Sequence, residues 1–316
     1  MTMETPPNLP SDTPKYAKPF WTVLGCAIAA ALVYTLIAQW PHSFNATFTP
    51  QFPPPTPLPP STTKSQDKQL AVGIILPLTG EKKEIGKVLL RAAEMAVADI
   101  NADPDAPSFS FVTADGACDE KTARDAAKKL IAQNIHFLIG GACSEEVRGI
   151  ATAIRGTETV LLSPSASEDD VRSDNIFRLV PSAKQTDAAE KIFHTQDTEP
   201  NTEKRTLVPY FNEHTAAAER FFGRYKSHYQ EDPIVPWYLA NMYSAFFLVK
   251  DCATQPDTAP CRQWLSILTS WSDGALTDLS FTKQGDAAWE TFVVQEKDWQ
   301  GITRDVSLFT LSEKQK

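Results

Sequence analysis

The chain has 316 residues, 42% of them hydrophobic, and carries 30 Lys and Arg against 39 Asp and Glu, a net charge of −9. That length allows one large domain or two modest ones. The acidic balance, with no basic stripe and no interleaving of basic and aromatic residues, excludes nucleic acid as the expected partner, because phosphate recognition calls for clustered Lys and Arg.

Residues 20–40, FWTVLGCAIAAALVYTLIAQW, run for 21 residues without a charge. As a helix at about 1.5 Å per residue this segment covers the ~30 Å hydrocarbon core of a bilayer. Phe20 and Trp21 at one end and Trp40 at the other are placed as interfacial anchors. Lys15 and Lys18 flank the N-terminal side, and no Lys or Arg follows until Lys64. The positive-inside rule therefore predicts a cytoplasmic tail at 1–19, a transmembrane helix at 20–40 and export of everything beyond. A cleaved signal peptide has a shorter apolar core, about 7–15 residues, and a small-x-small site that is not evident here, so an uncleaved anchor is the favoured reading. Val23-Leu24-Gly25-Cys26 faintly resembles a lipoprotein box, but the apolar core follows Cys26 instead of preceding it. Cys26 is read as a small apolar residue of the span.

Residues 41–67 read as a linker. Eight of the twenty residues from Pro41 to Pro60 are proline, and no charge occurs before Lys64. Such a segment favours extended polyproline II and acts as a semi-rigid stalk. A role as an SH3 or WW ligand would require a cytoplasmic position, which the topology opposes.

The domain expected at 68–316 begins with LAVGIILPL (70–78), an apolar run, followed by Ile85, Val88, Leu89, Ala92, Ala96 and Ile100 at helical spacing. FSFVTAD (109–115) predicts a strand, and Ala123, Ala126, Ala127, Leu130 and Ile131 one face of a helix. HFLIGG (136–141) predicts the next strand, Val147, Ile150, Ala151 and Ile154 the next helix, then strands at 159–165 and 175–182. Alternating helices and near-continuously apolar strands predict an α/β fold, a doubly wound parallel sheet covered on both faces. In such folds ligands bind at the carboxyl ends of the strands. Thr79 and Gly80, Asp115 to Cys118, Cys143 and Ser144, and Ser163 to Ser167 fall there.

After Ala183 the pattern loosens. Residues 194–206 read as a polar loop, 206–211 as a strand, and 215–229, 237–250 and 262–272 as helices. LSFTKQGD (279–286) and WETFVVQ (289–295) read as a closing β segment. The helix at 237–250 carries Trp237, Tyr238, Tyr243, Phe246 and Phe247, either as an exposed apolar patch or as the most buried helix of the fold; the second is favoured.

Four cysteines lie beyond the span: Cys118, Cys143, Cys252 and Cys261. An even count in an exported domain reads first as two disulfides. Cys118 and Cys143 follow consecutive strands, which as neighbours would set the two loops side by side; Cys252 and Cys261 bracket a short Pro-containing loop. A nucleophilic Cys143 would need a base, and His136, His194, His214 and His228 form no motif with it. No closely spaced ligand pairs mark a zinc site. No GxSxG, HExxH, P-loop or GxGxxG motif is present, so neither an enzyme nor a cofactor is expected. Asp115, Glu145 and Glu146 as an acid/base pair is the weakest of the alternatives.

VGIILPLTGEKKEIGKVLLRAAEMAVADINA (72–102), GACDEKTARDAAKKLIAQNIHFLIGGACSEE (116–146), LLSPSASEDD (161–170) with NIFRLVPSAKQ (175–185), and then RFFGRYKSHYQEDP (220–233), the helix at 237–250 and LSFTKQGD resemble, in order, the type 1 periplasmic binding proteins, leucine/isoleucine/valine-binding branch. The resemblance covers about residues 70 to 300. It implies a disulfide between Cys118 and Cys143, and a small amino-acid-like ligand held mainly by the first lobe. The implied contacts are Ser144 after the cysteine and Ser165, Ala166 and Ser167 in the SPSAS turn, with hydroxyls and N–H groups at a helix N-terminus suiting a carboxylate. Three departures accompany it. Ile85 stands where the family has an aromatic. Glu145 and Glu146 occupy the first turn after Ser144, where they complement the helix dipole and would repel an incoming carboxylate. Only about two dozen mostly polar residues separate Pro181 from residue 206, where the family inserts most of its second lobe.

The expectation is a truncated, lobe-1-like domain: half of a clamshell whose site stays open to water, where polar contacts are worth less. Its implied function is membrane-anchored solute binding or sensing, with a membrane permease, receptor or second-lobe partner. The alternative is a degenerate lobe retained for protein–protein contact in the cell envelope.

Overall fold

The computed structural model describes residues 69–171, 173–197, 205–255, 260–297 and 302–311. The predicted span at 20–40 and the linker at 41–67 lie outside these residues. No helix among the described residues is long and apolar enough to cross a membrane.

The chain runs β1 (Gln69–Leu76), α1 (Lys83–Ala102), β2 (Ser108–Asp115), α2 (Glu120–Ala132), β3 (Phe137–Gly140), α3 (Ser144–Ile154), β4 (Val160–Ser163) and β5 (Ile176–Arg178). These five strands form one parallel sheet in the order β2-β1-β3-β4-β5. The apolar run of β1 splits by the two-residue period of a strand. Val72, Ile74 and Leu76 enter a core shared with α1, while Ile75 enters a second core with Ala123, Ala127 and Leu130 of α2 and Val147, Ile150 and Ile154 of α3.

Beyond β5 come α4 (Ala183–Gln196), β6 (Arg205–Pro209), α5 (Ala216–Tyr229), α6 (Pro236–Ala253), α7 (Cys261–Ser266), β7 (Trp271–Asp273), β8 (Leu276–Leu279), β9 (Thr291–Lys297) and β10 (Thr303–Thr310). Helix α6 belongs to the first core: Leu239 to Phe246, Leu248 and Val249 are all buried, and Trp237, Tyr238 and Phe247 are half-buried. An exposed patch on this helix is therefore absent. Helix α7 ends at Ser266, short of the predicted 272, and LSFTKQGD is strand only as far as Leu279.

Two features depart from a lobe-1-only expectation. Residues 194–196 are helical, the end of α4, where a loop was expected. Its start is fixed by a capping box, the Ser182 hydroxyl accepting from Gln185 N–H while Gln185 Oε1 accepts from Ser182 N–H. Strands β6, β9 and β10 also form a separate antiparallel sheet, order β10-β9-β6. One face packs on α4 through Ala189, Phe193, Leu207, Phe292 and Val294. On the other face Val208, Val293 and Leu308 pair across the three strands, and Leu308 is 57% exposed.

A candidate site at the carboxyl edge of the parallel sheet

The strand order places β2 on one side of β1 and β3 on the other. The crevice of a doubly wound sheet forms where the order reverses in this way, between the ends of β1 and β3. Gly140 ends β3 at φ 138°, and a Cβ there would lie 1.9 Å from the Ile75 carbonyl oxygen. Only glycine lets β3 close on β1 so tightly; the Gly141 N–H donates to that same oxygen at 2.8 Å.

Cys118 and Cys143 form a disulfide, with their Cα atoms 5.4 Å apart. The strands they follow, β2 and β3, are not neighbours as expected. They flank β1, so the bridge passes over the end of the central strand. Cys252 and Cys261 form the second disulfide, joining the ends of α6 and α7. The bond leaves no thiolate at Cys143, so a nucleophile there is excluded while it is intact.

Beneath the first disulfide lies Glu146, wholly buried. Its carboxylate accepts the Cys118 N–H at 3.1 Å and the Cys143 N–H at 3.4 Å. A Cβ at Gly116 would sit 2.2 Å from Glu146 Oε1, so that glycine makes room for the acid. Burial pushes the Glu146 pKa up to about 7, helped by the nearby Asp115 charge and opposed by the N–H groups of Cys118, Cys143 and Ala142. Glu145 instead faces solvent and pairs with Arg148 at 3.1 Å. The two adjacent acids, read alike from sequence, have different roles, and neither stands as an unbalanced surface charge beside Ser144.

Asp115 serves the backbone. Its Oδ1 accepts from Leu78 N–H at 2.9 Å and Ala117 N–H at 2.9 Å, and its Oδ2 from the Thr79 hydroxyl at 2.5 Å. Partial burial would raise its pKa, but the bonds from Thr79, Leu78 and Ala117 outweigh that and hold it below the usual carboxylate range. It fixes the β1 and β2 loops to each other.

The SPSAS turn is clamped from every side. Ser163 Oγ donates to Gly141 O at 3.0 Å and accepts the Ala166 N–H at 3.3 Å. Ser165, 9% exposed, donates to Ala142 O at 3.0 Å. Asn241 of α6 donates its Nδ2 to Pro164 O at 2.8 Å and to Leu179 O at 2.9 Å. Arg178, buried, donates to the carbonyls of Ala166 and Glu168 and pairs with buried Asp286 at 2.6 Å. The Ser167 carbonyl accepts the Ala183 N–H at 2.8 Å.

The structure therefore sorts the residues implied by the resemblance. Ser165 and Ala166 are buried, and Ser165 is spent on joining the β3 and β4 loops. Ser144, at the first position of α3, is half-buried, and Ser167 is exposed; neither hydroxyl has a hydrogen-bond partner among the described residues. Ile85, in the first turn of α1, packs against the first core. Sequence reasoning missed Arg178, Asp286 and Asn241. Only Asn241 carried a signal, a polar residue inside a helix apolar all round.

An α/β lobe with small polar groups on a rigid carboxyl edge belongs to the class of folds that hold ligands at strand ends. Within that class, residues 69–198 match the family model for periplasmic binding proteins, and the resemblance to the type 1 proteins holds over this segment. The Leu/Ile/Val-binding protein of Citrobacter freundii is 26% identical over 106 residues, 33% of this chain and 29% of that protein. The leucine-, isoleucine-, valine-, threonine- and alanine-binding protein of Pseudomonas aeruginosa is 25% identical over 116 residues, 35% of this chain and 31% of that protein. The chain thus spans about a third or less of the length of these curated relatives. Among solved structures, the leucine binding protein LivK of Thermotoga maritima superposes with a TM-score of 0.61 at 13% identity, over 76% of this chain and 99% of that one. LivJ of Streptococcus pneumoniae, solved with isoleucine, gives 0.61 at 14% identity over 77% of this chain and 100% of that one. These likenesses establish the fold.

Proposed function

We propose that the chain is an extracytoplasmic solute-binding or sensing protein for a small amino-acid-like ligand, anchored by residues 20–40 and carried on the 41–67 stalk. The observation that supports this reading most is the pairing of a clamped SPSAS turn with two hydroxyls that have no hydrogen-bond partner among the described residues, Ser144 and Ser167, on the same sheet edge. Ser144 and the N-terminus of α3 receive the ligand carboxylate, since backbone N–H groups and the helix dipole favour an anion there. Ser167 supplies a second polar contact from the clamped turn. The relatives named above are binding proteins, which agrees with a non-enzymatic role. The small sheet is read as the remainder of a second lobe, so a permease, receptor or second-lobe partner completes the enclosure.

Calorimetry on the full chain with leucine, isoleucine, valine and alanine tests this. Saturable heat that disappears in a Ser144→Ala, Ser167→Ala double variant is expected. A folded sample giving no heat with any of them sinks the reading. The second reading, a lobe kept for protein–protein contact, draws on the face of the small sheet opposite α4, with half-buried Val208 and Val293 and exposed Leu308. Sedimentation velocity of the full chain and a Leu308→Asp variant decides it, since only a working contact changes mass with that substitution.

A further inference from the structure

The disulfide that crosses the end of β1 can be reached from solvent, since Cys118 and Cys143 are both half-buried. Cys143 is the N-cap residue of α3, an 11-residue helix. A cysteine at a helix N-terminus is ordinarily a good thiolate, because the helix dipole and the free N–H groups stabilise a negative sulfur. A good thiolate is also a good leaving group, so a bond built there exchanges readily with outside thiols. Here Glu146 already occupies that place. From the third position of α3 its side chain turns back to accept the Cys143 N–H at 3.4 Å, and it accepts the Cys118 N–H of the facing loop at 3.1 Å. One wholly buried carboxyl group therefore touches the backbone of both halves of the bond, in a space that Gly116 leaves open.

The charged groups on the elements around Glu146 are tied down. Asp115 of β2, where bonds from Thr79, Leu78 and Ala117 outweigh partial burial, and Asp119, which accepts from the Thr122 hydroxyl and N–H, are both held below the usual carboxylate range. Glu120 of α2 and Glu145 of α3 both face Arg148, at 3.9 and 3.1 Å.

We propose that Glu146 controls thiol exchange at the Cys118–Cys143 bond: as a carboxylate it guards the bond, and as a neutral acid it lets the bond exchange. In exchange with a dithiol, a thiolate of the reductant forms an S–S bond to one cysteine sulfur while the Cys118–Cys143 bond breaks. The other cysteine leaves as a thiolate and takes a proton from water. The second thiol of the reductant then closes on the first, releasing the remaining cysteine, so two electrons pass from the dithiol to the protein. Ionised Glu146 repels both the arriving and the departing thiolate, and it holds the N–H groups that would otherwise stabilise the latter. Glu146 loses its proton as pH rises through about 7, so the bond exchanges more readily in mild acid than above neutrality. Opening it unties the loop after β2 from the Ser144 end of α3, which couples the strand-end site to both protons and thiols. The inference does not depend on which ligand, if any, that site takes.

The test is differential alkylation of the full chain. Cys26 is blocked first, dithiothreitol is added, and the opening of each disulfide is followed by mass spectrometry of the newly labelled cysteines. Rates are expressed per dithiothreitol thiolate, which removes the reductant's own pH dependence. The rate constant for Cys118–Cys143 should fall at least about tenfold between about pH 5.5 and about pH 8.5, and that for Cys252–Cys261 should not. In Glu146→Gln the Cys118–Cys143 constant should stay high across the range. A flat or rising constant in the native chain overturns the proposal. So does an equal fall at Cys252–Cys261, or a fall that persists in the variant. The native pH profile needs no substitution, so it decides the matter whether or not the variant folds.

Discussion

Strand β4 of the parallel sheet buries all four of its residues, Val160 to Ser163. Strand β9, also a central strand, buries Phe292 and Val294 but leaves Thr291, Val293 and Gln295 half-exposed. The first sheet has helices on both faces; among the described residues the second has a helix, α4, on one face. The difference is one of rigidity. The candidate strand-end site is built where loops rest on a two-sided core and are cross-tied by a disulfide, Asp115, Asn241 and Arg178. The small sheet rests on a core of five buried side chains. Such a unit is expected to open locally at lower cost than the parallel sheet.

The contrast can be broken first at Asp286. Asp286→Ala leaves the Arg178 guanidinium buried without its carboxylate, and removing one partner of such a pair costs about 3–5 kcal/mol. Urea unfolding should show that loss across the whole molecule, because Arg178 lies in the parallel sheet while Asp286 leads toward the small one. Phe292→Ala removes a fully buried ring from the smaller core, at about 3–5 kcal/mol. Here the loss should be confined: hydrogen exchange should deprotect β6, β9 and β10 while β1, β3 and β4 stay protected. Equal deprotection of both sheets would mean that the two form one cooperative unit.

Glu146 sharpens the comparison from the other side. Its folded pKa, about 7, stands above its ordinary value of 4.5. Below pH 4.5 both folded and unfolded states hold the proton, and no penalty applies. Between those values the unfolded chain ionises first, so stability falls as pH rises, by about 3 kcal/mol in all, and levels off above pH 7. A Glu146→Gln variant should lack this slope when unfolding is followed from pH 4 to pH 8. A parallel slope in the variant would assign the effect to another group. The smallest effect is expected at exposed Leu308, where Leu308→Ser should cost under about 0.5 kcal/mol by thermal unfolding.

The elements of the parallel lobe were legible because burial on both faces imposes continuous apolar strands, and the helices between them carry apolar residues every three to four positions. Helix α4 was less so. It buries only Ala189 and Phe193, too little for a clear period, and its capping box at Ser182 and Gln185 was the usable signal. Strand β10 is exposed along nearly its whole length, so no burial pattern marked it. At the site, the position of Ser144 after a strand-end cysteine was readable, but the engagement of Ser165 was not. Its partner, the Ala142 carbonyl, belongs to another loop, and a backbone acceptor leaves no trace in residue identity.

By itself the sequence determined the alternation of strands and helices, the even cysteine count and the cluster of small polar residues at strand ends, because periodicity and residue type are local properties. Tertiary structure alone decided that β1 lies between the two strands leading to the disulfide, and that Glu146 turns inward while Glu145 turns out. It also decided that Asn241 and Asp286, 77 and 108 residues away from their partners, clamp the turn bearing Ser167. Those outcomes depend on which groups the packed sheet brings within hydrogen-bonding distance, and separation along the chain does not encode that distance.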